Sequence, residues 1–268
     1  MVQQVAEVQR LIQMSDRCAD SPVIVLAPHA GREVPEDDRE AFSISRSELE
    51  AEQDRLVDHH TDSLARGIGE SVSASVVVNT LSRFVVDVER FPDDREEMNA
   101  VGMGVFYSHG SLGQPIRSLE AINRERLMAF YERYSLAVED LVARTLDVHG
   151  RALIIDIHSY PPQPLPYELH SDERRPELCL GFEHPHEPKS LVDALHACHS
   201  SLEVVDNQPF HGSYVPLRFF GLESRVSSIM LEIRRDIYLQ PTTLEPRLSV
   251  IDGLVEKMCQ ALAQSGWV

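Results

Sequence analysis

Apolar runs alternate with stretches of helical periodicity along the chain. The first run, "SPVIVLAPHAG" (21–31), predicts a strand over Val23–Ala27 that ends in Pro28-His29-Ala30-Gly31. The following "SRSELEAEQDRLVDHHTDSLARGIGES" (45–71) reads as one helix. Ser47 and Glu50 suggest its capping box, and Leu49, Leu56, Leu64 and Ile68 mark one face. "ASVVVNT" (74–80) and "RFVVDVER" (83–90) are a second and third strand. A Gly-, Pro- and charge-rich loop spans 91–115, and one long helix, or two, runs over 116–150 to a stop at Gly150. In "LIIDIHSYPP" (153–162) the run Ala152–Ile155 is a buried strand, which puts His158 where it ends. An irregular stretch (160–176), a short strand (177–183), a helix (188–203), a strand running into a polar turn (226–241) and a closing helix (243–266) complete the pattern. Residues 1–18 read as a peripheral amphipathic helix or a ragged end. Strands alternating with helices predict an α/β fold. The expected architecture is a single domain over 1–268, a mixed, mainly parallel sheet with helices on both faces.

Composition narrows the partners. A net charge of −18 disfavours nucleic acid and anionic membranes. No segment approaches the ~18 apolar residues of a membrane span, and the first residues lack a basic start and apolar block of a secretion signal. Cys18, Cys179, Cys198 and Cys259 are scattered, with no CxxC pair, which suggests reduced thiols and a cytoplasmic protein. Lys189 and Lys257 are the only lysines, so nearly all positive charge is arginine, the side chain suited to bidentate carboxylate binding.

In open α/β sheets ligands bind beyond the carboxyl ends of the strands. Those ends carry His29, then Asp87 with Arg90, then His158, then Glu232 with Arg234 and Arg235. Together they suggest a zinc site with a catalytic carboxylate and an anion-binding wall. A catalytic zinc takes three protein ligands and leaves a position for water, whose pKa it lowers to about 7. A carboxylate then relays the proton. An acid inside "IMLEIR" would otherwise be a buried charge in need of a partner. No GxSxG, GxGxxG or P-loop is present. His59 and His60, His184 and His186, and His196 and His199 read as surface or structural residues. Tyr160, Asn207, Gly212 and Tyr214 are candidates for lining a substrate pocket, Gly212 also for a turn, and loop 91–115 for closing over it on Gly102, Gly104 and Gly110.

"APHAGREVP" (27–35), "SRFVVDVER" (82–90), "LIIDIHSYPP", "NQPFHGSY" (207–214) and "MLEIRRDIYL" (230–239) resemble the N-formylglutamate amidohydrolase family, in its order and over nearly the whole chain. The resemblance implies a fold like that of the zinc carboxypeptidases and aspartoacylases (phosphorylase/hydrolase-like), with one Zn2+ per chain. It implies His29 and His158 as zinc ligands and Glu232 as general base and acid. It also implies Arg83 and Arg90 as carbonyl- and carboxylate-binding arginines, supported by Asp87, with Arg90 counted among the catalytic groups. Arg32 stands where zinc carboxypeptidases carry their ligand Glu. Asp58 is the preferred third ligand, then Glu33, then Asp54. Glu89 replaces the Asn of the family's "DxNR"; an acid there neutralises Arg90 and loosens specificity for formylglutamate. The implied activity is zinc-dependent hydrolysis of a small anionic N-acyl amino acid, with N-formyl-L-glutamate first, in histidine degradation or amino-acid salvage. The rival readings are a carboxypeptidase-like peptidase or cell-wall amidase and, in another class, a metal-binding module without catalysis. A homo-oligomer is compatible with all three.

Overall fold

The computed structural model describes residues 10–169 and 174–268. In chain order its main elements are β1 (Ile12–Ser15), β2 (Val23–Ala27), α1 (Glu36–Arg39), α2 (Arg46–Leu56), α3 (Thr61–Ser71), β3 (Ser75–Asn79), α4 (Arg124–His149), β4 (Ala152–Tyr160), β5 (Leu178–Gly181), α5 (Lys189–Cys198), β6 (Val204–Asp206), β7 (Val226–Arg234) and α6 (Leu248–Gln264). The seven strands form one sheet in the order β1-β3-β2-β4-β7-β5-β6. The β3-β2-β4-β7 centre is parallel, as is β5-β6; β1 and β5 join antiparallel. This is the expected mixed, mainly parallel α/β sheet.

Both faces are covered, which is why β2 and the first half of β4 (152–155) are apolar runs without alternation. On one face α3, α5 and α6 pack Leu64, Ile68, Leu195, Leu254 and Met258 against Leu153, Ile155 and Ile157 of β4. On the other, α4 packs Phe130, Tyr134, Val138 and Leu141 against Ala152 and Ile154. Strand side chains alternate, so Asp156 and His158 continue the α4 side of β4. Glu232 of β7 lies directly across from His158.

The structure corrects several expectations. Residues 12–15 are an edge strand, not part of an N-terminal helix; residues 1–9 lie outside the described residues. The helix expected over 45–71 is two helices, broken at Val57–His60. The capping box uses Ser45 and Glu48, two residues before the expected pair. Segment 83–90 is not a strand but a coil of turns opened by the Val85 amide on the Ser82 carbonyl. That coil brings Arg83 onto Asp87, a contact that four residues of extended chain would forbid. Loop 91–115 is anchored to the body of the fold over much of its length. Met103 and Tyr107 are buried, and Glu52 of α2 accepts from Ser111 N and Gln114 Nε2. Gly102 is needed there for its left-handed φ of 72°. The long helix starts at Arg124, not 116, and ends on Gly150 as expected.

Candidate metal centre

Beyond the end of β2 the chain passes so close to Thr80 that a Cβ on Gly31 would sit 2.2 Å from the Thr80 carbonyl carbon. This glycine allows "PHAG" to turn and leaves His29 over the end of the sheet. The break between α2 and α3 supplies the next group. Asp58 N donates to His29 O, Tyr238 Oη donates to His59 O, and His60 adopts φ 60° before α3 begins. Asp58 is therefore held in a fixed connection, not on a helix surface.

Three atoms converge as a result. His29 Nδ1 and His158 Nδ1 lie 3.2 Å apart, and Asp58 Oδ2 lies 3.0 Å from His158 Nδ1 and 3.7 Å from His29 Nδ1. The far sides of both rings fix the tautomers. His29 Nε2 lies 2.8 Å from Asp87 Oδ1, and His158 Nε2 lies 3.0 Å from Asp156 Oδ2 and 3.2 Å from Glu89 Oε2. A carboxylate there requires an N–H, which leaves a lone pair on each Nδ1 of a neutral ring. Two lone pairs and a carboxylate oxygen then face one point. A tetrahedral ion with bonds of about 2.0–2.1 Å separates its donors by roughly 3.3 Å, close to these spacings. Carboxylates behind metal-bound histidines are the usual support for such ligands.

The electrostatics point the same way. Burial and Arg83 act to lower the His29 pKa, yet Asp87 and Asp58 raise it. Burial is likewise outweighed at His158, which Asp156, Asp58 and Glu89 hold well above the ordinary imidazole range. Burial works to raise Asp58, but hydrogen bonds from His158 and His29 and the charge of His158 hold it well below the ordinary carboxylate range. The cluster thus demands positive charge, which protons or a cation can provide, and a metal displaces those protons when it binds.

Glu232 has a buried Oε2 with no hydrogen-bond partner among the described residues. Burial raises its pKa to about 7, and the neighbouring Asp58 charge adds to this against His158 and Arg235. It is a carboxyl poised to exchange a proton near neutrality.

The arginines divide by use. Arg83 donates to Asp87 Oδ2, to Tyr107 Oη and to Leu56 O, and Tyr107 Oη in turn donates to Asp87 at 2.6 Å. Arg90 is looser. It lies 3.6 Å from both Asp87 and Glu96, its Nε has no hydrogen-bond partner among the described residues, and its side chain is 26% exposed.

The other predicted residues are placed elsewhere. Glu33 accepts from Thr80 Oγ1 and pairs with Arg10, and Asp54 pairs with Arg32 on the surface. Neither reaches the histidines, so of the three candidate third ligands the fold brings Asp58 alone. Asn207 Oδ1 accepts from the Phe182 and Gly212 amides, a turn-forming role. Tyr160 Oη donates to Pro176 O, so it braces the scaffold. Tyr214 is half-buried beside the α4 core, within reach of the Glu89 and Asp156 charges. Glu89 does not neutralise Arg90; it turns to His158 Nε2. Three residues were missed. Asp156 had a legible signal, since it lies two residues before His158 and so on the same strand face. Tyr107, in the loop, and Arg235 as a partner of Asp58 had none.

The profile of the family described as N-formylglutamate amidohydrolase matches residues 21–239. Among solved structures, an N-formylglutamate amidohydrolase from Ralstonia eutropha JMP134 superposes with a TM-score of 0.77 at 19% identity, covering 96% of this chain and 99% of that one. A gene product of Agrobacterium tumefaciens gives 0.66 at 19% identity, covering 94% and 95%. A metallo-carboxypeptidase from Burkholderia cenocepacia lies much further away, at 0.37 and 13% identity over 99% and 68%. No curated protein matches the chain.

Proposed function

The chain belongs to the N-formylglutamate amidohydrolase family, and on that premise we propose that it is a zinc enzyme that hydrolyses N-formyl-L-glutamate to formate and L-glutamate. The observation that carries the reading is the convergence of His29 Nδ1, His158 Nδ1 and Asp58 Oδ2 beside the unpartnered Glu232 Oε2. A zinc ion held by His29, Asp58 and His158 would supply Lewis-acid activation of water and of the formyl carbonyl.

The chain's own residues account for the rest. Glu232 takes the proton that water loses as its oxygen adds to the formyl carbon. It returns that proton to the nitrogen as the C–N bond breaks, so water and amide become formate and a free amine. Asp87 and Asp156 hold the two imidazoles in their Nδ1-free tautomers. Arg90, the guanidinium with unspent donors, binds the α-carboxylate of the substrate. Arg83 keeps Asp87 ionised and in register behind His29, and in this reading its remaining N–H groups bind the carbonyl oxygen. No helix of the described residues is long and apolar enough to cross a membrane.

The test is formate release from N-formyl-L-glutamate by the protein as purified, after chelation, and after zinc is restored. Turnover that disappears with chelation and returns with zinc supports the reading. Turnover indifferent to chelation overturns the metal role, and zinc-bound protein that spares N-formyl-L-glutamate but cleaves another N-acyl amino acid overturns the substrate.

A further inference from the structure

Asp58 has two carboxylate oxygens, and the structure treats them differently. Oδ2 faces the two histidines, whereas Oδ1 accepts from Arg235 Nη2 at 3.3 Å. The rest of the Arg235 fork is also spent. Nε donates to Ser159 Oγ at 3.1 Å, Nη2 to Ser159 O at 3.1 Å, and Nη1 to Arg55 O at the end of α2. One guanidinium, 6% exposed, thus ties together the residue after His158, the helix end that leads into Asp58, and the Asp58 side chain itself.

We infer that Arg235 is a positioning residue that holds Asp58 to one-oxygen coordination of the metal. This rests on the zinc reading above. A free carboxylate can turn about its Cβ–Cγ bond and offer both oxygens, or swing away; with Oδ1 engaged, only Oδ2 is left to the ion. Arg235 opens the turn that follows β7, three residues beyond Glu232. The segment "LEIRR" therefore delivers both the proton carrier and the clamp.

The opposite sign is the alternative. A guanidinium next to a metal site repels the ion, so if Arg235 acted only as a nearby charge, its removal would tighten binding. The experiment measures zinc affinity by competition with a chromophoric chelator. The visible spectrum of the Co2+-loaded protein and the metal-free unfolding midpoint are read alongside, for wild type, Arg235→Met, Arg235→Lys and Asp58→Asn. Zinc binding to Arg235→Met is expected to weaken by about 10–100-fold, the usual cost of losing such support. Arg235→Lys should fall between, because an ammonium lacks the planar fork. The Co2+ absorption should drop in both as a second Asp58 oxygen raises the coordination number. If Arg235→Met does not fold, Arg235→Lys decides. Arginine variants that bind zinc as tightly as wild type or more so, with an unchanged Co2+ spectrum, overturn the inference and leave the zinc reading standing provided Asp58→Asn weakens binding. A wild-type protein that binds no zinc, or an Asp58→Asn variant that binds it equally well, overturns both.

Discussion

The two sides of the His158 ring gather the same kinds of residue in different proportions. On the Nδ1 side, His29 and Asp58 bring a second imidazole nitrogen and a carboxylate oxygen, which ring protons hold together when no metal is bound. On the Nε2 side, Asp156 and Glu89 bring two carboxylates to an N–H. Both groups are spaced closely enough to hold an ion. Only the first, once a metal displaces its protons, turns two imidazole lone pairs and a carboxylate oxygen to one point. The difference is the second imidazole: two ring nitrogens and one carboxylate converge on one side, one ring nitrogen and two carboxylates on the other.

The largest effect should come from the group beside the Nδ1 side. Glu232→Gln keeps the shape but cannot take a proton, and should lower kcat by about 10²–10⁴-fold with zinc content unchanged; loss of zinc instead would make Glu232 a ligand. The same variant sharpens the comparison in metal-free protein. The Glu232 pKa is raised in the folded chain to about 7 from 4.5, chiefly by burial. Its contribution to stability is therefore complete below pH 4.5 and lost as pH rises through about 7. Wild type should lose roughly 3 kcal/mol relative to Glu232→Gln across that window, read by denaturant unfolding at each pH.

On the Nε2 side, Asp156→Asn should weaken zinc binding by about 10–100-fold without changing which atoms bind it. Glu89→Gln should cost less, since Asp156 remains. A larger loss from Glu89→Gln than from Glu232→Gln in turnover would break the comparison. At the small end, Glu33→Gln and Asp54→Asn should leave zinc affinity and turnover unchanged, since their carboxylates pair with Arg10 and Arg32 away from the histidines.

What could be read from sequence follows from how local the cause is. His29, His158 and Glu232 stand at or near the ends of apolar runs, and the run itself marks a buried strand. Asp58 could be named but not placed. Its release from helix geometry depends on Tyr238 reaching His59 across 179 residues of chain and on the His29 carbonyl. The turn of 83–90 was hidden because Phe84, Val85, Val86 and Val88 are buried as they would be in a strand. With that turn came the true partner of Glu89. β1 and β6 are short edge strands, with no buried residue to signal them. Arg235 meets Asp58 across 177 residues, and nothing near either residue encodes the contact.

The most direct test of the metal centre is the anomalous difference map, at the zinc edge, of a crystal grown with zinc. The account predicts one peak about 2.0–2.2 Å from His29 Nδ1, His158 Nδ1 and Asp58 Oδ2. A peak among Glu89, Asp156 and His158 Nε2 instead, or none in the loaded crystal, would contradict it.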